Sequence, residues 1–144
     1  MSVHPEKIVH LMSGISERIF FSLSSSYKNE GFKDLSPPQG AVLCALGTKI
    51  PASMTFISRK ILRDRSTVTQ IVKRLVECGY VERTKNKDDS RVTEVILTEK
   101  GKTARAAVIR SSRKMFKRIY KNTTPEERRL LISLLEKIDS GSYG

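Results

Sequence analysis

The sequence lacks a membrane-length apolar segment, a set of paired cysteines and a metal-binding pattern. No run of eighteen apolar residues occurs, which excludes a helix that spans a bilayer. The only cysteines, Cys44 and Cys78, do not make a disulfide framework. Together with the histidines, His4 and His10, they form no cluster with zinc-ligand spacing. The N-terminal segment carries charges and no signal-peptide core, so we expect a cytoplasmic protein.

The sequence also lacks catalytic motifs and is short of acidic residues. No nucleophile, base and orienting residue are arranged together, and no glycine-rich loop is present to hold a phosphate. We therefore expect no enzymatic activity, no cofactor and no metal. The 144 residues include 27 Lys and Arg against 15 Asp and Glu, a net charge of +12. This excess predicts a polyanionic partner, with nucleic acid as the first candidate and an anionic membrane surface as the second.

One segment, Asp64–Gly79, has the pattern of an amphipathic helix with an unusual polar face. Its apolar stripe has helical spacing and consists of Val68, Ile71, Val72, Leu75 and Val76. Asp64 or Ser66 can cap its start, and Gly79 can end it. Short polar residues come first on the other face and cations follow, which is the order that a groove-reading helix needs. The alternative is an ordinary helix with a solvated face.

The flanking segments favour the groove-reading interpretation. Ser36-Pro37-Pro38-Gln39 is a capping box that starts a helix ending near Gly47. Ser53 can cap a second, short helix after a connector at residues 50–52. A brief turn at residues 62–64 then leads into the central helix, which predicts a helix-turn-helix.

After Gly79 the apolar period changes from helical spacing to alternation. Residues 80–84 and 92–97 alternate, and the segment 85–91 between them is polar and basic. This pattern predicts a β-hairpin with a basic tip, that is, a wing. The predicted fold class is mainly α with a small β-hairpin wing.

Helices are predicted at both ends of the chain. The first covers residues 5–23, and residues 24–26 with Gly31 are predicted to be a loop or a frayed end. A long helix begins at residues 98–101 and reaches about residue 122. The capping box at residues 124–127 starts the last helix, and residues 140–144 are predicted to be a loose tail.

With these motifs in place, the chain resembles the MarR family of winged helix-turn-helix transcription regulators. The resemblance covers about residues 5–139. It rests on five blocks in the family's order and spacing, namely residues 35–39, 64–69, 75–83, 89–91 and 97–101. It implies a DNA-binding lobe at residues 36–100, with dimerisation helices at 5–23 and 102–139.

The resemblance implies a homodimeric, sequence-specific transcription regulator, more often a repressor, that binds a pseudo-palindromic operator in double-stranded DNA. It implies that Arg91 enters the minor groove and that Asp89 braces the wing. The residues predicted to contact DNA, from the family and from the polar face, are Arg65, Ser66, Thr67, Thr69, Gln70, Lys73, Arg74, Lys85, Lys87 and Arg91.

The family also implies control by a small aromatic or phenolic effector. The pocket predicted for it is lined by Ile15, Ile19, Leu43 and Met115. The chain departs from the family at Leu62, where the turn often carries glycine, so we expect a turn that is tighter or helical through Arg63.

An alternative function is a basic winged-helix module that binds RNA or protein in an assembly, without reading a DNA sequence. Such a module would keep the basic surface but would not need a dimer. A third hypothesis is binding to an anionic membrane. The first helix argues against it, because its charged residues are irregularly spread.

Overall fold

Three short helices occupy the middle of the chain: α2 (Pro37–Ala45), α3 (Met54–Ile61) and α4 (Arg65–Glu77). They are seen in a computed structural model that describes residues 4–141. Each helix begins at a side-chain cap. In the capping box before α2, the Ser36 amide donates to Oε1 of Gln39 at 2.7 Å, and Ser53 caps α3 by accepting from the Phe56 amide at 3.1 Å. The predicted helix starts are confirmed.

A small antiparallel sheet follows α4. Its strands are β1 (Ala52–Ser53), β2 (Val81–Lys85) and β3 (Thr93–Leu97), in the order β1-β3-β2. In the β2–β3 hairpin, Val81 lies opposite Leu97 and Lys85 opposite Thr93, which confirms the predicted wing. The prediction of a plain connector at residues 50–52 was incomplete, because Ala52 pairs with Val95 and opens β1.

The first helix, α1 (Pro5–Asn29), is longer than predicted. The prediction of a loop at residues 24–26 was wrong, since these serines continue the helix. Leu23 and Tyr27 are buried on either side of them, and the Ser26 hydroxyl lies 2.6 Å from the Ser111 hydroxyl. The helix ends instead at Asn29, and Gly31, two residues later, has a φ of 94°, the left-handed conformation that commonly follows a helix C-terminus.

The last two helices are α5 (Glu99–Ile119) and α6 (Pro125–Gly141). The helix α5 stops before the predicted residue 122, because residues 120–122 form a turn. The helix α6 starts at the predicted capping box, where the Thr124 amide donates to Oε2 of Glu127 at 2.8 Å. The predicted tail at residues 140–144 was placed too early, as Ser140 and Gly141 are helical and the remaining three residues lie outside the described part of the chain.

The chain divides into two compact units, the first ending at Ser112 and the second beginning at Arg113. The core of the first unit is formed by aliphatic side chains that are almost completely buried: Val42, Leu43, Ile57, Val68, Val72, Leu75, Val81, Val95 and Val108. A fully buried side chain of this size contributes about 1.5–3 kcal/mol to folding. The buried side chains of α4 hold that helix in place and leave its opposite face to solvent.

Candidate nucleic-acid interface

The start of α4 is fixed by Asp64. Its carboxylate accepts hydrogen bonds from the Thr67 amide at 2.7 Å and from the Thr67 hydroxyl at 2.8 Å. Of the two caps considered from the sequence, Asp64 is therefore the one used. These bonds, the amide of Thr67 first, hold the pKa of the Asp64 carboxyl below its usual range. The carboxylate is charged at neutral pH, at the end of the helix where the dipole favours a negative charge.

The exposed face of α4 presents most of the side chains predicted to contact DNA. Ser66, Gln70 and Lys73 are exposed at i, i+4 and i+7, so they lie along one face of the helix. Thr69 is also exposed, and its hydroxyl donates to the Arg65 carbonyl oxygen at 2.8 Å. Thr67 differs, because it is half-buried and its hydroxyl is used by the cap.

Two of the predicted cations on α4 are held by neighbours. Arg65 donates from its guanidinium to the Thr55 hydroxyl of α3 at 3.3 Å. Arg74 pairs with Glu77 at 3.4 Å, and the two side chains are 59% and 50% exposed. Surface pairs of this kind are weak, so either cation can exchange its partner for a phosphate.

The turn between α3 and α4 contains the only non-glycine residue with positive φ in residues 4–141. Leu62 has φ 56° and ψ 48°, and α3 ends there. The expectation of a turn that is helical through Arg63 was wrong. Instead, the Arg63 amide donates to the Ser58 carbonyl oxygen at 3.1 Å, and the Ser58 hydroxyl donates back to the Arg63 carbonyl oxygen. The two bonds hold the left-handed turn, and with it the angle at which α4 leaves α3.

The tip of the wing is built around Asp89. Its carboxylate accepts from Nε of Arg91 at 3.1 Å, from the second guanidinium nitrogen at 3.3 Å and from the Arg91 amide at 3.0 Å. The guanidinium of Arg91, which contributes most, lowers the pKa of the Asp89 carboxyl. The Arg91 side chain is nevertheless 90% exposed. It is held in one direction and is available to solvent.

The sequence analysis missed Asn86 as a wing residue. Its side-chain oxygen accepts from the amides of Asp88 at 2.8 Å and Asp89 at 3.0 Å, which shapes the turn that presents Arg91. An asparagine two residues before a polar pair is a signal for such a turn and could have been used. Lys85 and Lys87 are exposed on either side of Asn86.

A cleft of about 200 Å³ lies within the first unit, beside the turn. Its wall consists of Ser16, Ile19, Phe20, Pro37, Pro38, Ala41, Ile61, Arg63 and Ile71. Of the four side chains predicted to form an effector pocket, Ile19 lines this cleft. Ile15 is exposed elsewhere on α1, Leu43 is completely buried in the core, and Met115 is buried in the second unit. The structure therefore does not bring the four together in this cleft.

Comparison with known proteins shows the family of the chain. Residues 35–93, from the cap of α2 to the start of β3, match the MarR family model. The transcriptional repressor IacR of Pseudomonas putida is 32% identical over 105 residues, which are 73% of this chain and 63% of IacR. The chain belongs to the MarR family. Members of this family are DNA-binding transcription regulators and not enzymes.

Solved structures share the fold of this MarR-family chain. PcaV from Streptomyces coelicolor, solved with its natural ligand, has a TM-score of 0.78 at 18% identity and matches 99% of both chains. A cysteine-to-serine mutant of MarR from E. coli, solved with operator DNA, has a TM-score of 0.74 at 23% identity and matches 92% of this chain and 93% of that one. The predicted fold class, a mainly helical winged helix-turn-helix, is confirmed.

Residues 4–141 of this MarR-family chain contain neither a membrane-spanning helix nor a cluster of metal ligands. No helix there is long and apolar enough to cross a membrane. Nor do three or more His, Cys, Asp or Glu side chains in that range gather in a way that could hold a metal ion. Three features of this range could bind a ligand: the polar face of α4, the wing and the cleft.

Proposed function

We propose that this MarR-family chain acts as a homodimer that binds a pseudo-palindromic DNA operator and represses transcription until a small effector releases it. The observation that carries the proposal is the exposed face of α4, which offers short polar groups at the N-terminal end and Lys73 further on. Glutamine can bond adenine bidentately, so Gln70 supplies base recognition. The exposed Ser66 hydroxyl donates to a phosphate oxygen, and the Thr69 hydroxyl does so when it exchanges the Arg65 carbonyl oxygen for the phosphate.

The wing supplies the second contact. A narrow minor groove concentrates negative potential and favours an inserted guanidinium. Arg91, aimed by Asp89 and almost fully exposed, is the residue for this role. Lys85 and Lys87 add phosphate contacts that raise affinity without reading sequence.

Exposed apolar faces on two helices support a dimer. On α1 the large exposed side chains are Ile8, Val9, Leu11, Met12, Ile15, Phe20 and Phe21. On α6 they are Leu130, Leu131, Ile132, Leu134, Leu135 and Ile138, and the helix has no buried residue. A soluble chain rarely leaves so much apolar surface uncovered, and a second copy of the same helices covers it in a symmetric interface.

The cleft beside the turn is the proposed effector site. Ile19, Ile61 and Ile71 offer an apolar wall, and Arg63 offers a cation at one edge. An aromatic or phenolic carboxylate matches both. Because Arg63 also belongs to the turn, a ligand that draws it in favours one orientation of α4 over another, which is the condition for control.

Selection of bound fragments from random duplex DNA tests the proposal. We expect a pseudo-palindrome with half-sites about 34 Å apart, because two copies of α4 enter successive major grooves. If the dimer neutralises about eight phosphates, the logarithm of affinity should fall against the logarithm of salt with a slope of about −7. A flat salt dependence, or preferred binding to RNA, would contradict the proposal.

The effector step has its own test. We expect 4-hydroxybenzoate, as a representative phenolic carboxylate, to raise the melting temperature and weaken binding to the selected operator. Arg63→Met should abolish both responses and keep operator binding, while Arg59→Met, on the exposed side of α3, serves as the charge-matched control. If no aromatic carboxylate in a panel shifts operator affinity, the chain binds DNA constitutively.

A further inference from the structure

The C-terminal end of α4 is held by a cluster of side chains that lies outside the set of residues proposed to contact DNA. Tyr80, the last of the three residues between α4 and β2, is 1% exposed. Its hydroxyl donates a hydrogen bond to the carboxylate of Asp34, in the segment between α1 and α2. This bond is the largest cause of a lowered pKa at Asp34, so the carboxylate is charged at neutral pH.

Lys100, in the first turn of α5, completes the cluster. Its Nζ lies 2.7 Å from the Cys78 carbonyl oxygen, 3.9 Å from Oδ2 of Asp34 and 4.3 Å from the centre of the Tyr80 ring. Cys78 is the C-cap of α4, so the ammonium sits where the helix dipole favours a positive charge. One side chain thereby contacts the end of α4, the start of the wing and the α1–α2 segment.

The segment between α4 and β2 is tightly packed against the start of α5. The Thr98 hydroxyl donates to the Gly79 carbonyl oxygen at 2.6 Å. Gly101 lies so close that a Cβ there would be 1.9 Å from the Tyr80 carbonyl oxygen. The amides of Gly79 and Tyr80 close α4 by donating to Val76 at 3.0 Å and Leu75 at 2.9 Å. A displacement of Lys100 would therefore be transmitted to the last turn of α4.

We propose that Lys100 is a positioning residue, which fixes α4 and the base of the wing in the orientation that reads DNA and does not itself contact DNA. The inference rests on the proposed DNA-binding function. The geometry supports it because the ammonium already has a carbonyl oxygen, a carboxylate and a ring as partners. The Lys100 side chain is 49% exposed, but its ammonium is directed at these three partners within the protein.

Three variants test the inference with the operator selected by the wild-type protein as the probe. Lys100→Met keeps the aliphatic stem over the Tyr80 ring and removes the charge and the donors. Lys100→Arg keeps the charge. Lys102→Met removes a neighbouring cation that pairs with the Glu99 carboxylate at 3.0 Å, and it is the charge-matched control.

We expect Lys100→Met to weaken operator binding about tenfold, because the loosened end of α4 must then be ordered when it binds DNA. The lost charged hydrogen bond is worth about 1.5 kcal/mol, and an ordering cost of that size corresponds to about a tenfold change in affinity. The slope of affinity against salt should stay at the wild-type value. Amide hydrogen exchange should speed up at residues 78–80 and remain unchanged in α3. Lys100→Arg should restore part of the affinity, and Lys102→Met should change it less than about threefold.

Four results would overturn the inference. A salt slope reduced by about 2 for the dimer would make Lys100 a phosphate contact. Equal losses for Lys100→Met and Lys102→Met would reduce its role to long-range charge. Exchange that speeds up equally in α3 would mean general destabilisation, and unchanged affinity would remove the role. If the wild-type protein selects no DNA sequence, the proposed function fails and the inference fails with it. If the wild-type protein selects an operator and Lys100→Met binds that operator with unchanged affinity, only the inference fails.

Discussion

Leu62 ends α3 in a left-handed conformation that L-residues with large side chains avoid. From the sequence, the missing glycine predicted a turn that is tighter or helical through Arg63, and the helical alternative was wrong. The backbone keeps the left-handed residue because the two bonds between Ser58 and Arg63 close the turn around it. The Leu62 side chain is 78% exposed, so packing does not offset the backbone cost. Local preference and turn geometry conflict at this residue, and turn geometry prevails.

Leu62→Gly should therefore stabilise the protein. The left-handed conformation costs a leucine about 1–2 kcal/mol, which glycine avoids. Glycine has greater freedom in the unfolded chain, and this lowers the stability of the variant by about 0.5–1 kcal/mol. We expect the free energy of unfolding to rise by up to about 1 kcal/mol in urea denaturation. Leu62→Ala, which keeps a Cβ in the same conformation, should stay within about 0.5 kcal/mol of wild type. A glycine variant less stable than the alanine variant would show that the leucine side chain has a stabilising contact.

The Asp89 carboxylate should contribute to stability in a defined pH range. Its pKa in the folded protein is lowered by Arg91, so it contributes above the unfolded pKa of about 3.9. That contribution is lost as the pH falls from about 4 through the lowered value. In an NMR titration of the carboxyl carbons, Arg91→Gln should move the pKa of Asp89 upward. Arg83→Gln, on the same hairpin, should leave it in place, and equal values in all three proteins would mean that the pair does not form in solution.

At the scale of elements, the helix starts could be predicted and some of the ends could not. The residues that start α2, α4 and α6 act through bonds within four residues, so the sequence alone reveals them. The end of α1 depends on contacts far along the chain. Ser26 continues the helix with its hydroxyl bonded to Ser111, 85 residues later. The strand β1 is two residues long and exists because β3 lies beside it, which no local pattern encodes.

The corner between α5 and α6 depends on Arg128. Its guanidinium donates to the Thr123 hydroxyl and carbonyl oxygen, both at 2.9 Å, and to the Tyr120 carbonyl oxygen at 3.1 Å. It also lies 5.1 Å from the centre of the Tyr120 ring. One half-buried side chain thus satisfies the carbonyl groups that the end of α5 leaves open.

Arg128→Ala should lower the free energy of unfolding by about 2 kcal/mol, because it removes charged hydrogen bonds to backbone oxygens. Arg129→Ala is the matched control. The Arg129 side chain is 72% exposed and pairs with the exposed Glu126 at 3.2 Å, so we expect a loss below about 0.5 kcal/mol. Urea denaturation followed by circular dichroism measures both. Equal losses would mean that the corner is held by something other than this guanidinium.

At the scale of the whole molecule, two properties indicate binding partners. The net charge of +12 favours a polyanionic partner, and the exposed apolar faces of α1 and α6 favour contact with a protein surface. The first could be predicted from composition, and the exposed residues of α4 from helical spacing. The position of the cleft could not, because α1, α2, the turn and α4 come together there only after folding. Leu43, which was predicted to line the pocket, is instead completely buried in the core.

The dimer of the proposed function makes a prediction that involves the whole molecule. Leu134→Glu places a charge on the apolar face of α6, and burying it in an interface without a partner would be costly. Sedimentation velocity should show a monomer in place of the dimer. Because the two half-sites would no longer be bound by one linked particle, operator affinity should fall by about a hundredfold or more.

Ser133→Glu adds the same charge on the other side of α6 and should leave both properties near wild type. In the wild-type protein the melting temperature should rise with concentration, and in Leu134→Glu it should not. If Leu134→Glu stays dimeric, α6 does not form the interface. If it is monomeric and binds the operator with unchanged affinity, DNA reading does not need the second copy, which fits the alternative of a single winged-helix module better than a symmetric regulator.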